Sequence, residues 1–214
     1  MHYASRAEAG RALANSLTHL NDSNTVVLGL PRGGVPVAYE VARALDAPLD
    51  IVPVRKLGLP TQPELAMGAI GEDDAEVLND DVVGRGRVTR QVIDAVRVRE
   101  RAELRRRAAI LRGGHPRIPV SGRTVVLVDD GMATGATAAV ACRVVRAAGA
   151  ARVVVAVPVA PPEAVARLRV VADDVICPYV PVDLGSVGAA FTDFHQLDDR
   201  EVTALLDRYR TRDR

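Results

Sequence analysis

The run Val125-Val126-Leu127-Val128 ends in two adjacent carboxylates, Asp129 and Asp130, and the chain then passes through Gly131-Met132-Ala133-Thr134-Gly135-Ala136-Thr137. An apolar run of this length reads as a buried strand, and the small and hydroxylated residues after it read as a loop entering a helix. At the carboxyl end of a strand in an open α/β sheet, such a loop lies in the ligand crevice. Its glycines let backbone N–H groups approach a ligand closely, and the next helix N-terminus adds a positive dipole end. With Thr134 and Thr137 as hydroxyl donors, the loop suits a phosphate monoester. Asp129 and Asp130 would repel that phosphate, so they need another task. Paired carboxylates can accept hydrogen bonds from vicinal hydroxyls and order a hydrated Mg²⁺. A phosphate pocket beside a diol reader describes a ribose 5-phosphate site. Two rivals fail on residue identity: the Gly131 loop has no lysine for a GxxxxGK nucleotide loop, and Gly84 and Gly86 lack the third glycine of GxGxxG.

Other chemistry-bearing residues are sparser. Lys56 is the only lysine, directly after Arg55. Arg97, Arg99, Arg101, Arg105, Arg106, Arg107 and Arg112 make one basic helix, relieved by Glu100 and Glu103. It reads as a solvated helix with Glu103–Arg107 support at i, i+4 in preference to a phosphate-steering or RNA-binding face, since no aromatics interleave. His2, His19, His115 and His195 show no metal-ligand spacing. Ser186 lacks the context of a nucleophilic serine. Cys142 and Cys177 are too few for a disulfide framework or metal cluster and sit in apolar runs.

The elements that must position these groups alternate in type. Thr25–Leu30, Asp50–Val54, Thr124–Val128, Arg152–Val157 and Asp173–Cys177 read as strands. They are continuous apolar runs, as expected when helices cover both faces of a parallel sheet. Val35–Leu45, Gly135–Ala148 and Pro161–Val171 read as helices, giving right-handed βαβ units. Two stretches break the alternation. Within 57–81, Ala66–Ile70 and Ala75–Leu78 pair as a hairpin around Glu72-Asp73-Asp74, and a long polar helix follows from Thr89 to Leu111, stopped by Gly113 and Gly114. After Cys177 the chain is irregular until a last helix near Asp198 or Asp199, with Asp199 as N-cap. The fold class is therefore α/β: an open, mostly parallel, doubly wound sheet with an inserted hairpin and long helix and a small C-terminal hood. At 214 residues and 48% hydrophobic content, one core is affordable, and a net charge of +1 gives no reason to expect a nucleic acid partner. No stretch has the makings of a signal peptide or membrane span, so a cytoplasmic location with no membrane partner is expected.

The segment from Val125 to Thr137 resembles the ribose-phosphate signature of type I phosphoribosyltransferases. The resemblance extends to RKLGLPTQPELAMGAI, ILRGG and FTDFHQLDDREV, shared with a bacterial branch of that family, and so covers most of the chain. It implies a single domain over 1–214, with a core of about 20–177, a flexible insertion of about 57–112 and a hood of about 178–214. It implies that Asp129 and Asp130 hold the ribose hydroxyls and, through water, Mg²⁺, that Ala133 to Thr137 (Thr134, Gly135 and Ala136 included) wrap the 5-phosphate, and that Gly131 and Met132 also belong to the substrate-binding segment. Pro31-Arg32-Gly33-Gly34 falls where the family has its pyrophosphate loop, so Arg32 and Gly33 would hold the leaving group, with Arg55 and Lys56 adding charge at the end of the second strand. Part of 57–112, Glu64 with it, would close over the site, and Asp193 and His195 fall in the hood that faces the acceptor. The implied activity is Mg²⁺-dependent transfer of the phosphoribosyl group from phosphoribosyl pyrophosphate to a nitrogen nucleophile, in the first instance a nucleobase, in a homodimer of nucleotide metabolism. Asp129, Asp130, Arg32 and Lys56 would carry the catalysis. The alternative is a non-catalytic sensor of phosphoribosyl pyrophosphate that binds RNA. Ala190-Phe191-Thr192 stands where members of the branch carry bulkier aromatics, so no acceptor-contacting residues are carried over.

Overall fold

Alternating faces explain the sheet. The computed structural model describes residues 2–72, 74–86 and 88–212, without the side chains of Pro63 and Glu64. In chain order the elements are α1 (Arg6–Ala14), β1 (Thr25–Gly29), α2 (Gly34–Leu45), β2 (Leu49–Ile51), β3 (Arg55–Leu59), β4 (Gln62–Ile70) and β5 (Glu76–Leu78). There follow α3 (Asp80–Arg85), α4 (Arg90–Arg112), β6 (Thr124–Val128), α5 (Ala136–Ala147), β7 (Arg152–Ala156), α6 (Pro162–Leu168), β8 (Asp174–Ile176) and α7 (Asp199–Arg210). Five strands form a parallel sheet in the order β2-β1-β6-β7-β8. Val126 and Val128 pack to one side with α2 and α7, whereas Val125 and Leu127 pack to the other with α5 and α6. Both faces are dry from Val125 onward, so every position of β6 after Thr124 is apolar. None of the described helices is long and apolar enough to cross a membrane.

Three antiparallel strands, in the order β3-β4-β5, make a second sheet that packs on α4 around Leu57, Met67, Ile70, Ile93, Val96 and Leu104. The hairpin is as expected, although Asp73 of its turn lies outside the described residues. One expectation is corrected here. Arg55 and Lys56 do not end the second strand, because β2 stops at Ile51 and these residues open β3, opposite Ile70 and Ala69. Pro53 has no N–H to give a ladder, and Leu57 and Leu59 are buried on alternate positions, the period of a half-covered strand.

The two sheets are held together by a buried charge network. Asp50 of β2 is fully buried and accepts from Arg112 Nε at 2.8 and 3.1 Å, from Ile51 N at 2.8 Å and from Ile118 N at 3.0 Å. The same guanidinium donates to Glu72, in the turn after β4, at 2.6 Å and to Ile51 O at 3.2 Å. Gly71 completes the clamp: a Cβ there would meet Val144 Cγ1 of α5 at 2.0 Å.

Helix ends follow side-chain chemistry. Thr89 caps α4, which stops at Gly113 in the left-handed region (φ 59°). Asp198, not Asp199, caps α7 in a reciprocal pair with Glu201, which shifts the expected cap by one residue. Glu103 bonds Arg106 through two 2.8 Å contacts, not Arg107 as the i, i+4 spacing suggested.

Replacing Arg112 with Met keeps most of the stem and removes the guanidinium. Breaking one partner out of a buried pair costs about 3–5 kcal/mol. The urea midpoint of the variant should fall to match, and a loss below ~1 kcal/mol would show that the network holds nothing.

Candidate functional site

Asp129 and Asp130 leave the end of β6 into a crowded corner. Asp130 N donates to Asp129 Oδ1 at 2.9 Å. The loop after β1 presses on the pair from beside it. A Cβ on Gly33 would stand 2.2 Å from Asp130 Oδ2, and one on Gly34 would stand 2.4 Å from Val128 O. Only glycine allows that approach. The Pro31–Arg32 peptide within this loop is cis. Arg32 Nη1 lies 3.6 Å from Asp199 Oδ1 of α7.

A third element reaches the pair. Arg6, on α1, is buried; its Nε donates to Asp130 Oδ2 at 2.7 Å and its Nη1 to His195 O at 3.0 Å, and the guanidinium lies 3.9 Å from the centre of the Phe194 ring. Small residues bring α1 close enough to do this: a Cβ on Gly10 would meet Val37 O of α2 at 2.8 Å. Arg6 was not among the residues expected from sequence. Ser5-x-x-Glu8 is a helix-start pattern that could have found α1, and Ser5 does accept from Glu8 N. Together Arg6, Arg32, Gly33, Asp129, Asp130 and His195 line a cavity of about 350 Å³. Burial pushes the Asp129 carboxyl well above the usual range, and the neighbouring charge of Asp130 pushes it further. Burial raises Asp130 too, with the bond to Arg6 pulling it back.

The loop from Gly131 to Thr137 is anchored at one end and open at the other. Met132 is buried and its N–H donates to Val159 O at 3.0 Å, while a Cβ on Gly131 would collide with Val187 Cγ1 at 2.5 Å. Gly135, at φ 70°, turns the chain into α5, and Ala136 N donates to Thr134 Oγ1 at 3.3 Å. Ala133, Thr134, Ala136 and Thr137 are exposed. The first N–H groups of α5 have no partner within the helix, as at any helix start.

The remaining expected residues divide between neighbouring cavities. Lys56 is exposed and lines a cleft of about 690 Å³ with Arg55 and Glu100, facing Ala136 and Thr137. Arg55 donates to Glu100 Oε2 at 2.9 Å from Nε and 2.7 Å from Nη2. Arg32, Gly33, Asp129 and Asp130 therefore share one cavity, and Lys56 and Thr137 share another. The Glu64 side chain lies outside the described residues. His195 turns its ring to Asp193 (Nδ1–Oδ1 2.9 Å) and Glu201 (Nε2–Oε1 3.0 Å), and both carboxylates hold its proton more tightly than usual. Among the described residues no group of three or more His, Cys, Asp or Glu could hold a metal ion.

Comparison with known proteins relates the whole chain to others. A family model, the phosphoribosyl transferase domain, matches residues 2–189. The "Putative phosphoribosyl transferase" of two Mycobacterium tuberculosis strains is 55% identical over 203 residues, 95% of this chain and 46% of its own length. The chain thus spans about half the length of these relatives. The crystal structure of TT1426 from Thermus thermophilus is similar over 98% of this chain and 99% of its own, with 47% identity and a TM-score of 0.87.

The raised Asp129 carboxyl has a consequence for stability. A carboxyl whose folded pKa exceeds its unfolded value favours the fold when protonated, and that contribution is lost as pH rises through the folded value. Asp129→Asn can keep the bond from Asp130 N and has no proton to lose. With chelator present, its urea midpoint should exceed that of the parent at neutral pH, with the gap closing as the solution is acidified toward the ordinary Asp value of ~3.9. Parallel pH profiles for the two proteins would sink this assignment.

Proposed function

The chain belongs to the phosphoribosyl transferase domain family, and from that premise we propose that it transfers the 5-phosphoribosyl group of phosphoribosyl pyrophosphate to a nitrogen nucleophile, a nucleobase in the first instance, releasing pyrophosphate. One observation carries the reading: an acidic pair at the end of β6, wedged against Gly33 of one loop and continuous with the Thr134-Gly135 turn of another.

In this reading Asp129 and Asp130 accept hydrogen bonds from the ribose 2′- and 3′-hydroxyls. The N–H groups from Ala133 to Thr137, with the Thr134 and Thr137 hydroxyls, take the 5-phosphate. The bond from ribose C1 to the pyrophosphate oxygen breaks as the acceptor nitrogen bonds to C1 and gives up a proton. The ribose ring gains oxocarbenium character on the way, so positioning and charge stabilisation matter more than a covalent nucleophile. Arg32, with the N–H groups beside Gly33, and Lys56 from the facing lobe receive the departing pyrophosphate. Closure of part of 57–112 would keep water from the reactive carbon. The donor set suits Mg²⁺ held mainly by substrate oxygens and water, with Asp129 and Asp130 reaching it through water, since two carboxylates are too few to enclose the ion. Bound there, the ion would neutralise charge on the leaving group.

Replacing Asp129 and Asp130 together with Asn tests the ribose assignment. Charge-assisted hydrogen bonds contribute about 1.5–3 kcal/mol each, so Mg²⁺-phosphoribosyl pyrophosphate should bind roughly tenfold to several thousandfold more weakly. A Thr134→Val, Gly135→Val variant should instead lose ribose 5-phosphate as well. Calorimetry on both variants, after circular dichroism shows that each folds, separates the two roles. If the acidic-pair variant binds as tightly as the parent, the aspartates do not read the ribose. A panel of nucleobases with labelled phosphoribosyl pyrophosphate then identifies the acceptor.

A further inference from the structure

Charge around the proposed pyrophosphate position does not balance on the residues named so far. Of the three cations assigned to that position, which line two different cavities, Arg32 faces Asp199 and Arg55 is forked onto Glu100. Their charge is largely answered from within the protein, whereas a pyrophosphate ester carries several negative charges in one place.

Helix α4 offers another cation. Its arginines are mostly committed: Arg97 bonds Glu76 at 2.6 and 2.7 Å, Arg101 lies 3.2 Å from Asp74, Arg99 bonds Glu100 at 3.0 Å, and Arg112 holds Asp50 and Glu72. Arg107 differs. The carboxylate one turn before it, Glu103, is taken by Arg106, and Arg107 reaches Glu103 only as a field. Among the described residues Arg107 has no hydrogen bond or ion pair, yet it is half-buried. Its guanidinium nitrogens are not among the buried atoms left without a partner, so the fork is open to an anion arriving from outside.

Its surroundings say which anion. Arg107 lines a cavity of about 90 Å³ together with Pro31, Arg55 and Thr137. Pro31 opens the loop that continues into Arg32 and Gly33, and Thr137 stands in the first turn of α5. The cavity is small and its other walls, Leu30, Val52, Pro53, Val54 and Leu104, are apolar, so Arg107, Arg55 and Thr137 are the side chains there that an anion can meet. A planar five-donor fork suits phosphoryl oxygens better than a point charge does.

We propose that Arg107 is a substrate-binding residue that takes the terminal phosphoryl group of the pyrophosphate, so that α4 supplies a third side of the site. The assignment rests on the phosphoribosyl pyrophosphate reading above, and its test separates the two. Calorimetry is run with Mg²⁺-pyrophosphate and with ribose 5-phosphate on the parent, Arg107→Ala, Arg107→Lys and Arg105→Ala. Arg107→Ala should weaken pyrophosphate about tenfold to a hundredfold and leave ribose 5-phosphate unchanged. Arg107→Lys should recover part of the loss. Arg105→Ala, which removes the same charge from an exposed position two residues away and leaves Glu103 with Arg106, should leave both ligands as in the parent. Thermal melting checks that each variant folds. If the parent binds both ligands and Arg107→Ala binds pyrophosphate equally well, or loses both ligands in equal measure, the inference fails and the family reading stands. If the parent binds neither, both fail.

Discussion

Asp50 lies wholly inside the protein, where a carboxylate is tolerable only because a guanidinium and two backbone N–H groups converge on it. Arg112 is at the last turn of α4, so satisfying Asp50 fixes where that long helix ends. Glu72 shares the guanidinium, which fixes the turn of the second sheet in the same stroke. Once those points are set, β3 must leave the end of β2 toward α5, and Lys56 must face the phosphate-type loop. The chemistry of the proposed site is thus located by a network that touches none of its residues.

Within the site, absence of side chains does as much as their presence. The loop after β1 and the end of β6 approach until Gly33 and Gly34 leave no room for a Cβ. Arg6 enters from the other side and forms a fork between Asp130 and His195 O, so one buried cation joins the acidic pair to the segment that walls its cavity. Such a cation offsets part of the burial of Asp130 without filling the cavity; burial raises both carboxyls, that of Asp129 well above the usual range.

The parallel sheet was legible because its inner strands β1, β6 and β7 are dry on both faces over most of their length. β6 has the expected bounds, and β1, β7 and β8 differ only at their ends. The acidic pair and the glycine loops were legible for the same reason: they directly follow apolar runs. What was not legible depends on partners distant in sequence. Asp50 looked like the ordinary start of a strand, and nothing local pointed to Arg112. Arg55 and Lys56 were assigned to the wrong strand because the break at Pro53 was read as continuous. Arg6 was missed because an alanine-rich amphipathic start has a weak pattern, despite its Ser5 cap. The pairing of Glu103 with Arg106 was decided by rotamer competition that spacing alone does not resolve.

Arginine supplies every other side-chain cation of the chain, which makes the position of Lys56 unusual in a practical sense. A primary amine side chain occurs once, exposed on the rim of the cleft of about 690 Å³ that Thr137 also lines. Amine-selective acylation or reductive methylation therefore has a single side-chain address in this chain. A methyl or fluorinated tag placed there would sit in the cleft itself, and its resonance would report occupancy and closure without any change to the sequence.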